Sequence, residues 1–179
     1  MTTAAAAIST ITLVEPGVRP DPERNAAALS IVKKWSLWAM APGILPYPFL
    51  DLVAIGAIQM NMLREISNLY GTKFSANLVK NIVGSVLGSF GMAVAGTGFA
   101  YSLLKALPVA GRAAGVLALP VVAGASTYAL GRVFILHFAS GGTFLTFDPN
   151  KVRDFFQQTY EEGVQEMQKK AQDKKDAHA

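Results

Sequence analysis

Apolar residues recur at helical spacing from Pro22 to about Met40, through Ala26, Leu29, Ile31, Val32, Trp35, Leu37 and Trp38. Asp21 before Pro22 supplies an N-cap followed by a proline at the first helical position, so the pattern predicts a first helix that Pro42-Gly43 ends. Pro46 and Pro48 make the following Ile44–Asp51 stretch an extended or kinked hinge. A second helix is predicted from about Phe49 to Tyr70, with Gly71 at its C′ position. Trp35 to Leu63 spans 29 residues with Asp51 as its one charge. Two apolar helices meeting at a Pro-rich turn read as a Pro-hinged hairpin that re-enters a membrane or rests at its interface, with Trp35, Trp38 and Tyr47 as interfacial aromatics. The core hairpin of a soluble bundle is the alternative.

The pattern then loses its polar face. A third helix is predicted over Thr72–Leu104, amphipathic at first and apolar on every side from Asn81, with 24 uncharged residues from Asn81 to Leu104. At 1.5 Å per residue that is roughly 36 Å, longer than a hydrocarbon core. Gly84 and Gly88 form a Gly-x-x-x-Gly pair that Gly91 and Ala95 extend, a small-residue face of the kind that lets helices approach closely in lipid. Lys105–Arg112, with Pro108 as a hinge and Gly111 beside it, makes a short connection. A second apolar helix follows over Ala113–His137, with Pro120 as a possible kink and Arg132 near its end in position to snorkel to the headgroups. The reading predicts two spanning helices, Asn81–Leu104 and Ala113–His137, with both termini on one side. Of 16 Lys and Arg, 13 lie before Lys105 or after His137, so the positive-inside rule places the termini in the cytoplasm.

Ser140-Gly-Gly-Thr143 reads as a loop, and Asp148-Pro149 repeats the capping signal seen at Asp21-Pro22. Val152, Phe155, Phe156, Thr159, Val164 and Met167 form one apolar stripe on a C-terminal amphipathic helix, which should dock on the protein's own cytoplasmic face, with the lipid surface as the alternative. Residues 1–22 read as a disordered segment, 23–168 as a single helical membrane domain, and 169–179 as a charged flexible tail.

Composition narrows the choice of chemistry. Of 179 residues, 51% are hydrophobic and 16% charged, which excludes a disordered chain. The net charge is +4, but the basic residues border apolar runs or mix with acids, so no stripe for nucleic acid is present. The chain has no Cys and only two His, so thiolate chemistry and His-based metal sites are excluded, and no cofactor is expected. Gly91 to Gly96 precedes Thr97 rather than the Lys of a phosphate loop, and no nucleophile elbow or zincin motif occurs. An enzyme is not predicted.

Polar residues within apolar sequence remain as candidates: Asp51, Gln59 and Asn61. Asp51, early in the second helix, suits the free N–H groups and positive dipole end there. Its sharper reading is an ion or proton site inside the membrane. Gln59 and Asn61 suit helix–helix hydrogen bonds.

Pro46-Tyr-Pro48-Phe-Leu-Asp51, Gln59-Met-Asn-Met-Leu63, Leu69-Tyr-Gly71, Leu107–Gly111, Thr127–Arg132 and Ser140–Thr143 together resemble a bacterial membrane family of unknown function described as YcjF-like. The resemblance covers about residues 25–168. It implies a membrane-associated helical module, sometimes fused after a small GTPase domain that is absent from this chain, and it supplies no catalytic residues.

The combined expectation is an all-α, integral membrane helical bundle of the bacterial inner membrane. It binds the lipid bilayer, self-assembles as a homo-oligomer through Gly84, Gly88, Gly91 and Ala95, and acts as a scaffold in a membrane complex or beside a separate small GTPase. The alternative is a small channel or transporter with Asp51 in its pathway. A third reading is a peripheral lipid-binding protein whose hairpins enter one leaflet.

Overall fold

The computed structural model of the chain describes residues 21–41, 48–96 and 113–176, with side chains over 21–41, 53–88, 120–174 and 176. Within them lie α1 (Pro22–Ala39), α2 (Pro48–Leu69), α3 (Ala76–Gly96), α4 (Ala113–Ala139) and α5 (Arg153–Asp176). All regular structure among the described residues is helical. Of the three hinge prolines, Pro46 and Pro108 lie outside the described residues, and Pro48 is the first residue of α2.

Local chemistry sets the helix ends. Asp21 caps α1, its Oδ1 accepting from the Arg24 backbone N–H at 3.0 Å, with Pro22 next in line. α2 and α4 end the same way. Gly71 at φ +70° donates its N–H to the Asn68 carbonyl, and Thr72 donates to Ser67 at 2.8 Å. Gly141 at φ +80° donates to Phe138, and Gly142 donates to the His137 carbonyl at 2.9 Å. Both are Schellman caps, in which a left-handed residue turns the chain back over the last carbonyls, and glycine reaches that φ without steric cost.

Two predicted starts move. α3 begins at Ala76 rather than Thr72, because Thr72 is already committed to the α2 cap. Asp148 does not cap α5: its Oδ1 accepts from Asn150 N–H at 3.0 Å in a local turn, and α5 opens later, with Val152 O accepting from Phe156 N–H. At the other end α5 continues through the charge run to Asp176.

α4 is the axis of the bundle, packing most extensively on α5 and α1 and also on α2, while α1 and α2 pack on each other. Gln59 of α2 bonds Thr127 of α4, and the Tyr70 ring lies 5.9 Å from Phe138, so α2 runs parallel to α4. Val32 of α1 faces Gly131 and Met40 faces Gly124, so α1 runs antiparallel to α4. Met167 of α5 also meets Gly124, while Glu162 pairs with Arg132, so α5 is antiparallel too. α3 packs sparsely, mainly against α2 and α5, and buries Val79, Ile82, Val83 and Val86.

The expected apolar stripe of α5 does dock on the protein itself. Phe156, Thr159, Val164 and Met167 are buried, and Tyr160 joins them. Gly163 brings the two backbones together: a Cβ there would stand 3.1 Å from both the Ala125 Cα and its carbonyl oxygen. Small residues therefore let helices approach closely in this fold, at Gly124, Gly131 and Gly163.

Among the described residues one helical stretch, Pro120–Ala139, is long and apolar enough to cross a membrane, and 67% of it is buried inside the bundle. The stretch expected as the first span, Asn81–Leu104, is described only to Gly96. Arg132, expected to snorkel from the second span, instead pairs with Glu162 at 3.3 Å and donates to the Tyr128 hydroxyl at 2.8 Å. The uncharged run of α4 is therefore covered over its second half by α1 and α5, with Lys33–Glu166 joining those two helices and Arg132 of α4 paired to Glu162 of α5. A hydrocarbon phase around those charges would be costly.

Candidate functional site

The bundle has two unlike ends. At one lie the start of α1 and the caps of α2 and α4. Here Phe134 stacks on Phe147 with centroids 4.6 Å apart, Phe144 meets Phe138 at 5.0 Å, and Phe74 meets Phe144 edge-on at 5.9 Å. Offset and edge-on rings add attraction beyond their buried area. His137 closes this end. Its Nε2 lies 2.8 Å from the Thr143 carbonyl, its ring meets Phe147 edge-on at 5.1 Å, and Gly142 packs against it too closely for a Cβ. The Ser140–Thr143 segment, read from sequence as a loop, is thus a cap folded over an imidazole.

At the other end are the C-terminus of α1, the N-termini of α2 and α4, and the C-terminus of α5. Four of the five large exposed hydrophobic side chains among the described residues gather there: Leu37 at 43%, Trp38 at 63%, Val53 at 72% and Val122 at 39% exposure, the fifth being Leu145 in the loop at the aromatic end. Their levels follow from the contacts already given. Gln59 is level with Thr127, so Val53 is close to the level of Val122, and Met40 beside Gly124 puts Leu37 and Trp38 within about two turns of both. The chain continues from this end as uncharged sequence, in residues 42–50 after α1 and in Ala113–Leu119 at the start of α4. Scattered exposed apolar residues are ordinary, but a convergence on one end is informative.

Electrostatics separate the two ends from the waist between them. Glu65 of α2 accepts from Lys34 Nζ at 2.7 Å and from Trp35 Nε1 at 2.7 Å. Burial pushes its carboxyl upward, but the Lys34 and Trp35 hydrogen bonds and the Lys34 charge together outweigh it, so the group sits below its ordinary value. Lys33 and Glu166 tie α1 to α5 at 3.2 Å. Burial raises the Tyr160 phenol to about 12. Among the described residues no three His, Asp or Glu side chains are grouped as metal ligands would be.

The structure separates the candidate residues. Gln59 is buried and donates to Thr127 Oγ1 at 3.3 Å, while that hydroxyl donates to the Ala123 carbonyl at 2.8 Å. Asn61 is exposed on the opposite face of α2, so the two amides do not act together. Asp51 lies in the first turn of α2, and its side chain is outside the described residues. Gly84 and Gly88 lie on the exposed side of α3 with nothing within 4 Å of a Cβ at either position. Gly91 and Ala95 continue that helix as described backbone. Sequence reasoning missed Thr127 as the partner of Gln59, because that pairing needs a register between distant helices. Of the aromatics read as interfacial, Trp38 is exposed at the apolar end, Trp35 instead donates to Glu65, and Tyr47 lies outside the described residues.

Residues 19–165 match the family described as Domain of unknown function (DUF697). Magnetosome membrane protein 22 of Magnetospirillum gryphiswaldense is 37% identical over 140 residues, which cover 78% of this chain and 72% of that protein. No solved structure matches.

Proposed function

The chain belongs to the DUF697 family, and from that membership we propose that it is a non-enzymatic, membrane-associated helical module that is anchored by its apolar end and serves as a scaffold. The observation that carries this reading is the convergence of Leu37, Trp38, Val53 and Val122 at one end of a bundle whose waist is tied by ion pairs and whose opposite end packs aromatic rings and exposes Leu145 alone among large described hydrophobic side chains. The name of the magnetosome relative supports a membrane setting. In this reading the membrane-entering part is the uncharged run of α3 beyond Val86, whose earlier turns pack in the bundle, together with the start of α4 to about Val122. The second half of α4 stays in the water-facing bundle. The bundle and both termini lie on the cytoplasmic face of a bacterial inner membrane.

Self-association through Gly84, Gly88, Gly91 and Ala95 completes the proposal. The open space over Gly84 and Gly88 supports it, since small-residue faces gain contact energy only against another helix. The narrower YcjF-like resemblance adds a separate small GTPase as the partner that such a scaffold would serve.

The test is an alkaline wash of membranes carrying the full chain, followed by mild detergent and a mass measurement of the released particle. Retention through the wash, with a multimer that Gly84→Leu and Gly88→Leu disperse, is the expected result. Release by the wash overturns membrane insertion. A retained monomer overturns assembly alone.

A further inference from the structure

We infer that the apolar end docks on an anionic bilayer surface, with the C-terminal turns of α5 lying against the lipid headgroups; the inference rests on the membrane reading above and names the lipid class it selects. The charge pattern of α5 is divided along its length. Residues 153–167 hold Asp154, Glu161, Glu162 and Glu166 against a single basic residue, Arg153. Residues 168–176 hold Lys169, Lys170, Lys174 and Lys175 against Asp173 and Asp176. Met167 lies against Gly124, level with Met40, so everything after it runs past the level of Val122, Val53 and Trp38. The basic part of α5 therefore stands beside the exposed apolar side chains, while its acidic part stands at the waist and pairs with Lys33 and Arg132.

A helix macrodipole by itself favours acids early and bases late, but its reach is confined to the terminal turns. Lys169 and Lys170 stand before the last turn of a helix that ends at Asp176, so the dipole does not account for them. Both are exposed, as is Lys174, and none has an acidic partner among the described ion pairs. An exposed Trp beside apolar side chains and a cluster of unpaired lysines is the combination that an anionic lipid interface satisfies. The indole sits at the headgroup level, and the ammonium groups meet phosphate. A nucleic acid would use the lysines but leave Leu37, Val53 and Val122 in water, and an apolar protein groove would leave the lysines unused.

The experiment uses the full chain with Trp35→Phe, so that Trp38 is the sole indole, reconstituted from mild detergent into vesicles of phosphatidylcholine alone or with phosphatidylglycerol. Trp38 emission is quenched either by bromine on the acyl chains or by aqueous acrylamide. The expected result is quenching by the brominated lipid that is about tenfold more efficient in the anionic vesicles. High salt, or the triple change Lys169→Glu, Lys170→Glu and Lys174→Glu, should abolish that gain. Far-UV circular dichroism confirms that the exposed substitutions leave the helices folded. Equal lipid quenching in both vesicle types overturns the headgroup selection while the membrane reading stands. Acrylamide quenching alone, in both vesicle types, overturns the placement of this end in lipid.

Discussion

Gly163 of α5 faces Ala125 of α4 so closely that a Cβ on the glycine would stand 3.1 Å from backbone atoms of the alanine. Backbone cannot swing aside as a flexible side chain can, so this contact fixes how near α5 comes to the axis of the bundle. Residues bordering it on both helices, Tyr128, Tyr160 and Val164, are buried.

Gly163→Leu should therefore destabilise the fold by about 1–3 kcal/mol, the usual cost of forcing methylenes into a filled contact. Gly84→Ala should act in the opposite sense, gaining about 0.5–1 kcal/mol, because the site is open and alanine is the better helix former. Thermal melts followed by circular dichroism check both signs, and an equal loss in the two variants would contradict the assignment of the close contact.

Acid stability follows from Glu65. Its folded carboxyl sits below 4.5, so its contribution is fully present above the unfolded value and is lost as pH falls through the folded one. The pair with Lys34 is partly exposed, and the expected contribution is under about 1 kcal/mol. Melting temperatures of the native chain and of Glu65→Gln should differ near neutrality and converge at pH values below 4.5.

At the alkaline limit Tyr160 dominates. Burial raises its phenol from 10.0 to about 12, so the stabilisation is intact below pH 10 and declines as pH rises toward 12. Tyr160→Phe should remove that part of the alkaline decline, as read from melts across the same interval.

Gln59 and Thr127 provide a test of polar burial. Thr127 keeps its bond to the Ala123 carbonyl when Gln59 is replaced, and the lost bond is a long one at 3.3 Å. Gln59→Met should then change stability by no more than about 1 kcal/mol, since no partner is left without a bond. A loss well beyond that, measured by denaturant melts, would assign Gln59 a larger role than holding α2 against α4.

Much of this was legible in the chain. Asp21-Pro22 and Gly71 marked their helix ends because capping depends on residues adjacent in sequence, and the Phe156–Met167 stripe marked a docked face by its spacing. What the pattern could not show was which uncharged stretch the protein covers with its own helices. Ala113–Gly131 looks the same to a hydropathy window whether lipid or α1 and α5 surround it. Similarly, Gly-x-x-x-Gly spacing drew attention to Gly84 and Gly88, while the close approaches fall at Gly124, Gly131 and Gly163, which share no local motif. Asp148-Pro149 misled for the converse reason: an aspartate before proline suits a turn as well as a cap, and distant packing chose between them.

The direction of α1 has a consequence for anything attached ahead of it. Its first residue lies at the aromatic end and its last, Ala39, at the apolar end; the helix is 18 residues long, so the two stand about 26 Å apart along the axis. On the membrane reading proposed above, a domain joined ahead of Pro22 would start at the end of the bundle away from the lipid, whereas one joined after Asp176 would start beside it.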